Sequence, residues 1–287
     1  MKKGLAIVLV VTLLVGICSV AFAAVTPYKS KLHEVLERGY LIVGTGSTNV
    51  PWHSINEKGE YEGFDIEMAR ILALGLFGDA SKVQFVEQAS DQRIPNTLAD
   101  KVDITFQFMT INPTRAQQVA FSIPYYTEGI GLILKTGGKY KNYDELVAAV
   151  AAGQTVTIAI LQNADATANV QRMVAGSKDD QYESQGLVYQ AVDSGRADAG
   201  AVDLSSIKWL ASKNPEKYTD SGFAFNPQNY GAAMNPYDQV WINYVNQVLL
   251  DCMTGATYPL YTAAYEKWFG ETPTAPNIGM PSMFRAK

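Results

Sequence analysis

Histidine and cysteine are scarce in this chain, with two of each in 287 residues. His33 and His53 stand apart, and neither has a partner at metal-ligand spacing, so no metal site is legible and no cofactor is expected. A nucleophile elbow and a phosphate loop are also missing. Positive charge is in deficit. The 23 basic residues face 28 acidic ones, for a formal net charge of −5, which argues against nucleic acid or anionic lipid as a partner. Long apolar runs are absent beyond the N-terminus, so no later segment qualifies as a membrane span. The interior has no repeat and no low-complexity linker.

The one long apolar run begins with Lys2 and Lys3, continues without charge and ends on Ala21-Phe22-Ala23. These are the parts of a secretory signal peptide over residues 1–23, cleaved near Ala23; an uncleaved anchor is the alternative, since the run almost spans a bilayer. Cys18 follows Ile17 rather than the small residue that a lipoprotein signal needs, so no lipid is expected there. Cleavage leaves 264 residues with 21 basic and 28 acidic side chains, a formal charge of −7. Its single cysteine, Cys252, shares a helical pattern with Leu249 and Leu250 and is expected to be buried. These readings describe a soluble protein of the periplasm or another extracytoplasmic space, with a small molecule as its target.

Short apolar runs alternate with helical patterns from residue 32 to 131, which is the signature of an α/β fold with a largely parallel sheet. Strands are expected at 40–43, 83–86 and 104–106, with helices over 66–72 and 94–98. After the third strand Asn112 is placed to cap a helix whose first position is Pro113, so Arg115 falls in the first turn. The pattern restarts with strands at 131–134, 156–160 and 199–202. A helix opened by Asn142 and Glu145 and others through Val170 and over 186–192 accompany them. A strand at 230–234 and helices at 240–253 and 259–268 follow. Residues 271–287, rich in Pro, Gly and Met, are expected to lie extended on the surface.

Read in order, Val43-Gly44-Thr45, Gly63-Phe64-Asp65, Arg93-Ile94-Pro95, Val102-Asp103, Met109-Thr110-Ile111-Asn112-Pro113-Thr114-Arg115, Phe121-Ser122 and Lys267-Trp268-Phe269-Gly270 carry a family resemblance. The mature chain resembles the polar amino-acid solute-binding proteins of bacterial ABC transporters, family 3. The resemblance implies two α/β lobes joined by two hinge crossings near 129–135 and 222–228, with the ligand in the cleft between them. Lobe 1 would comprise 24–130 and 227–287, and lobe 2 would comprise 131–226. It further implies a monomer that closes on a small amino-acid-like ligand and delivers it to the membrane permease of an ABC transporter.

A zwitterion taken out of water needs one partner for its carboxylate and another for its ammonium. Arg115 matches the family's carboxylate-binding arginine, and a guanidinium presents the planar donor fork that two carboxylate oxygens require. Thr110 would add a hydroxyl or backbone donor. Asp203, after the strand at 199–202, matches the ammonium-binding aspartate. Arg93 and Ser90 match positions at which acidic-amino-acid binders hold the side-chain carboxylate, which makes glutamate or aspartate the favoured ligand. Without the motifs, Arg115 reads as a solvated charge, Asp203 as a helix cap and Arg93 as part of a surface ion pair. Trp52 and Phe108 are candidate apolar walls, with core packing as the alternative.

Several positions depart from the pattern. The loop that usually donates hydroxyls to the ligand carboxylate stands as Asn163-Ala164-Asp165, which makes Asn163 and Asp165 candidate contacts of unusual type. An arginine of the acidic-ligand members corresponds to Gly46, and a serine corresponds to Phe108. Relatives on this fold include cyclohexadienyl dehydratases, whose catalytic glutamate corresponds to Thr167, with Asp165 as a conceivable substitute acid. A receptor-coupled sensor, which uses the same closure, is a further alternative.

Overall fold

The computed structural model describes residues 29–270 together with 272 and 273. The expected signal segment with Cys18 lies outside the described residues, as does the expected extended tail apart from Thr272 and Pro273.

Two five-stranded sheets organise the chain. The first runs in the order Val83–Glu87, Leu41–Thr45, Ile104–Thr105, Ala233–Met234, Ala120–Phe121. Its first three strands are parallel, and the last two pairings are antiparallel. Leu41, Val43 and Ile104 are wholly buried, as central parallel strands covered on both faces should be, and this is why they read as apolar runs. Helix Phe64–Phe77 buries Phe64, Ile66, Met68, Ala69, Ile71 and Leu72, and the helices Gln239–Thr254 and Tyr258–Phe269 pack against it. Cys252 is buried in that C-terminal pair, where its thiol is pushed up to about 12 by burial.

The second sheet runs Lys178–Tyr182, Thr157–Leu161, Ala199–Asp203, Tyr126–Lys135, Tyr218–Tyr230. Three parallel strands are followed by two antiparallel ones, and the last two form a long ribbon. The chain passes from the first sheet to the second between Phe121 and Tyr126 and returns between Tyr230 and Ala233. Residues 130 and 227, the expected lobe boundaries, fall inside this ribbon. The continuous strand expected at 230–234 is divided, because Tyr230 still pairs with Tyr126 whereas Ala233 pairs with Thr105 and Phe121. Among the elements that went unread in the sequence, two frame the second sheet. Lys178–Tyr182 is a charged edge strand, whose polarity suits an unprotected edge but hides it from an apolar-run criterion. Helix Leu204–Lys213 starts directly on a strand end with no turn to announce it.

The Gly63-Phe64-Asp65 motif has a local cause. Gly63 has φ +129°, and a Cβ there would sit 2.1 Å from the Trp52 carbonyl oxygen, so only glycine fits. The tight approach lets Phe64 N–H donate to Pro51 O at 2.8 Å and Asp65 N–H to Trp52 O at 2.9 Å. Asp65 is thereby held in the interior, where it accepts from His53 Nδ1 at 2.9 Å, Phe108 N–H at 2.8 Å and the Tyr125 hydroxyl at 2.6 Å. Burial lowers the pKa of His53, so its neutral ring supplies the Nδ1 proton. One carboxylate thus fixes the loop beyond the third strand, on which part of the site is built.

Candidate ligand-binding cleft

Two adjoining cavities, of about 70 and 240 Å³, lie where the strand ends of the two sheets face each other. Phe108, Leu161 and Gln185 line both. Arg93, Thr110, Arg115 and Asp203 line the smaller, together with Asn163, Gln228 and Tyr230; Ser90, His53 and Gln107 line the larger.

Arg115 reaches the cleft because Asn112 and Pro113 open a short helix as expected. Asn112 Oδ1 accepts the Arg115 N–H at 2.9 Å, and Pro113 takes the first position, where its missing N–H costs nothing. The Arg115 side chain is 12% exposed, so it is not a solvated surface charge. Its Nη1 donates to Thr110 O at 3.0 Å, while the Thr110 hydroxyl donates to Gln228 Oε1 at 2.8 Å. Burial lowers the Arg115 pKa, and Asp165 opposes that shift.

Asp165 is the only carboxylate paired with Arg115 among the described residues, Oδ2 lying 3.6 Å from Nη2. The same oxygen accepts Asn112 Nδ2 at 3.0 Å. Asp165 lines neither cavity; it bridges the lobes beside them, and its turn is held by its own N–H donating to Asn163 Oδ1 at 3.0 Å. It is therefore a clasp in this structure rather than part of the cavity wall. A partly exposed pair of this kind stabilises by up to about 1 kcal/mol, roughly fivefold in a two-state population. Asp165→Ala is expected to enlarge the ligand-free protein in small-angle scattering and to leave the ligand-saturated profile unchanged. Identical ligand-free profiles would show that the clasp does not hold the lobes.

Asp203 occupies the N-cap position of helix Leu204–Lys213, yet its side chain makes no cap hydrogen bond. It turns into the cavity instead. Oδ1 accepts the Tyr230 hydroxyl at 2.6 Å, and Asn49 Nδ2 lies 3.5 Å from Oδ2. No cation lies within 4.0 Å of this buried carboxylate among the described residues. Burial and then the nearby Glu128 push its pKa well above the ordinary range. Glu128, on the ribbon behind it, is pushed up to about 7 by burial, against the hydrogen bonds of Ser205 and Gly129.

Arg93 is 4% exposed, which excludes a surface ion pair. Its Nε donates to Ser90 O at 2.7 Å and Nη1 to Gln107 O at 3.1 Å, and the guanidinium lies 5.5 Å from the Phe108 ring centroid. No carboxylate pairs with it among the described residues, and burial together with Arg115 pushes its pKa down to about 9. Phe108 stacks on His53 with ring centroids 4.6 Å apart, in a backbone conformation with φ +36° that the Asp65 bond helps to hold. Gly46 has no room for a longer residue, since a Cβ there would meet the His53 ring at 2.7 Å.

Trp52 is a correction to the expected wall. It lines neither cavity and is wholly buried among Phe64, Tyr126, Tyr230 and Phe269, with Nε1 donating to Ser205 Oγ at 3.0 Å. The ring joins the first lobe to the ribbon. Thr167, at the place of the dehydratase glutamate, donates to Asp179 Oδ2 at 2.8 Å on an exposed face. The sequence reading missed Asn49, Gln185, Gln228 and Tyr230. Asn49 Oδ1 accepts from Tyr189 at 3.2 Å and Ser206 at 3.0 Å, so it too spans the lobes. Nothing in one sequence marks an asparagine in an irregular hairpin, and Gln185 follows the strand that was itself unread.

Opposite charges that face each other across a shared cavity, carried by two lobes on a double crossover, define a two-lobed binding protein of the periplasmic type. Residues 41–271 match the model of the bacterial extracellular solute-binding proteins, family 3, and the chain belongs to that family. It is 28% identical over 215 residues to the ABC transporter glutamine-binding protein GlnH of Bacillus subtilis, covering 75% of each chain. It is 28% identical over 264 residues to the L-cystine-binding protein TcyJ of Escherichia coli, covering 90% of this chain and 94% of that one. Among solved structures, an ancestral amino-acid-binding protein described as a precursor of cyclohexadienyl dehydratase superposes with a TM-score of 0.72 and 30% identity, over 84% of this chain and 100% of that one.

Proposed function

We propose that this chain captures a polar amino acid outside the cytoplasm and delivers it to the membrane component of an ABC transporter. The observation that carries the reading is the unpaired charge in one cavity: Asp203 has no cation and Arg93 no carboxylate among the described residues, while Arg115 keeps only a 3.6 Å contact to a carboxylate. Buried ions left so are costly, and a zwitterion supplies both missing partners. Arg115 with Thr110 takes the α-carboxylate and Asp203 the ammonium, from opposite lobes, so binding and closure are one event. The relatives named for glutamine and cystine agree with an amino-acid ligand, and no helix among the described residues is long and apolar enough to cross a membrane.

Arg93 sets the finer preference, for side chains carrying a second acceptor: glutamate, aspartate or their amides. An apolar side chain would leave the guanidinium unpaired. A thermal-shift panel tests both levels, because a ligand at a hundred times its dissociation constant adds about 2.7 kcal/mol to stability. Glutamate, aspartate, glutamine, histidine, arginine and leucine are compared in wild type and Arg93→Ala. Acceptor-bearing ligands are expected to stabilise most and to lose their advantage in the variant. A wild type that prefers leucine or arginine would remove Arg93 from the specificity pocket, and a chain that binds no amino acid would end the transport reading.

A further inference from the structure

A third cavity, of about 600 Å³, is larger than the two cleft cavities together and shares no lining residue with them. Its size lies in the range of small-molecule sites. Glu128 and Gly129 of the hinge ribbon line it, and each lobe supplies one wall. Lobe 1 contributes the end of helix Tyr258–Phe269, with Tyr265, Lys267, Trp268 and Phe269; lobe 2 contributes helix Leu204–Lys213, with Lys208, Trp209 and Lys213. The rings of Trp209 and Trp268 meet across the lobes, with centroids 5.9 Å apart. Charge in the lining is one-sided. Lys208 and Lys213 are exposed and have no carboxylate within 4.0 Å among the described residues, whereas Lys267 pairs with Glu67 at 2.8 Å. Lys213 Nζ stands 5.3 Å from the Trp209 ring centroid and Lys267 Nζ 4.9 Å from that of Trp268, so cations border the aromatic walls. Glu128 is the only acid in the lining among the described residues, and its oxygens accept from the Gly129 N–H and the Ser205 hydroxyl. Trp268 is 5% exposed, and its indole N–H has no acceptor among the described residues.

We propose that this cavity is a second ligand site, distinct from the cleft, and that it takes an aromatic carboxylate. The aromatic walls give a flat ring stacked and edge-on contacts that an acyl chain cannot match. Lys208 and Lys213 call for an anion, and the Trp268 N–H calls for an acceptor; a carboxylate answers both. A neutral arene leaves the lysines without a partner, and a cation meets three lysines against one carboxyl already engaged with the wall. Arg93, Arg115 and Asp203 take no part, so the site stands whether or not the cleft binds an amino acid. Because both lobes wall the cavity, an occupant binds the arrangement of lobes described above and favours it by linkage.

The probe is 2-naphthoate, titrated by calorimetry into the full chain, with the neutral 2-naphthylmethanol and the acyl anion octanoate as comparisons. One naphthoate is expected to bind per chain and to raise the melting temperature, and both comparison compounds are expected to bind about tenfold more weakly or worse. The double variant Lys208→Glu/Lys213→Glu reverses two exposed charges that line neither cleft cavity. It is expected to weaken naphthoate by about tenfold or more at low salt and to leave the melting temperature of the unliganded chain unchanged. Lys141→Glu/Lys178→Glu makes the same change of charge at exposed positions that border none of the three cavities, and is expected to alter affinity by less than about twofold. No binding of naphthoate, or an equal loss in the two double variants, overturns the site. Octanoate binding as tightly as naphthoate overturns its selection for an aromatic body, and 2-naphthylmethanol doing so overturns its selection for an anion.

Discussion

Replacing Arg115 by alanine is expected to weaken amino-acid binding by on the order of a hundredfold or more while the fold survives. The size follows from the loss of a charged, bidentate partner for a buried carboxylate, about 2 to 5 kcal/mol for a fully desolvated pair. The fold should survive because Arg115 sits in a four-residue helix at the cleft, its main-chain bonds with Asn112, Gln118 and Val119 do not need the side chain, and the side chain itself gives up only one donation to Thr110 O and the partly exposed pair with Asp165. Calorimetry gives the affinity, and an unaltered thermal transition shows that structure is kept. Arg115→Lys should recover only part of the loss, since an ammonium is a point charge without the planar fork. Near-native affinity in the alanine variant would place the ligand carboxylate elsewhere.

A loss of comparable size is expected for Asp203→Asn, and here acidity adds a second readout. Asp203 must be ionised to hold an ammonium group, yet burial and Glu128 raise its pKa well above the ordinary aspartate value. Affinity should therefore fall as pH drops below neutrality, earlier than an exposed aspartate would allow. Glu128→Gln removes the like charge and should move that fall to lower pH. The same group affects stability with a definite sign. A carboxyl whose folded pKa is raised binds its proton more tightly in the native state, so its contribution to stability is best below the unfolded value of 4.5 and declines as pH rises to about 7. Melting temperatures of Glu128→Gln should accordingly fall less than those of wild type between pH 5 and about 8. Parallel curves for the two proteins would mean that Glu128 ionises as an ordinary surface carboxyl does.

The cleft also shows why Asp165 reads ambiguously in one dimension. Its position in the second-lobe loop places it near the ligand carboxylate, but the direction of its side chain depends on Asn112, which lies 53 residues earlier and on the other lobe. Trp52 illustrates the opposite error. An aromatic after a strand end is a fair candidate for a cleft wall, yet the close approach of Gly63 to the Trp52 backbone holds it inward, where it meets Tyr126 and Tyr230 on the ribbon.

Local chemistry determined much by itself. Apolar runs placed the central strands, Asn112 and Pro113 placed the turn that carries Arg115, and Gly63 marked a backbone conformation no other residue tolerates; each depends on residues within a few positions of one another. The meeting of Arg93 and Gln185 in the lining of one cavity, the solitary Asp203 carboxylate and the clasp made by Asp165 were decided only in three dimensions. These groups come from strand ends and helix starts on different lobes, and whether a buried charge is neutralised or left for a ligand depends on which neighbours the crossover brings within hydrogen-bonding distance. Periodicity records which face of an element is buried. It carries no information about what another lobe, separated by a hundred residues of chain, presents to that face.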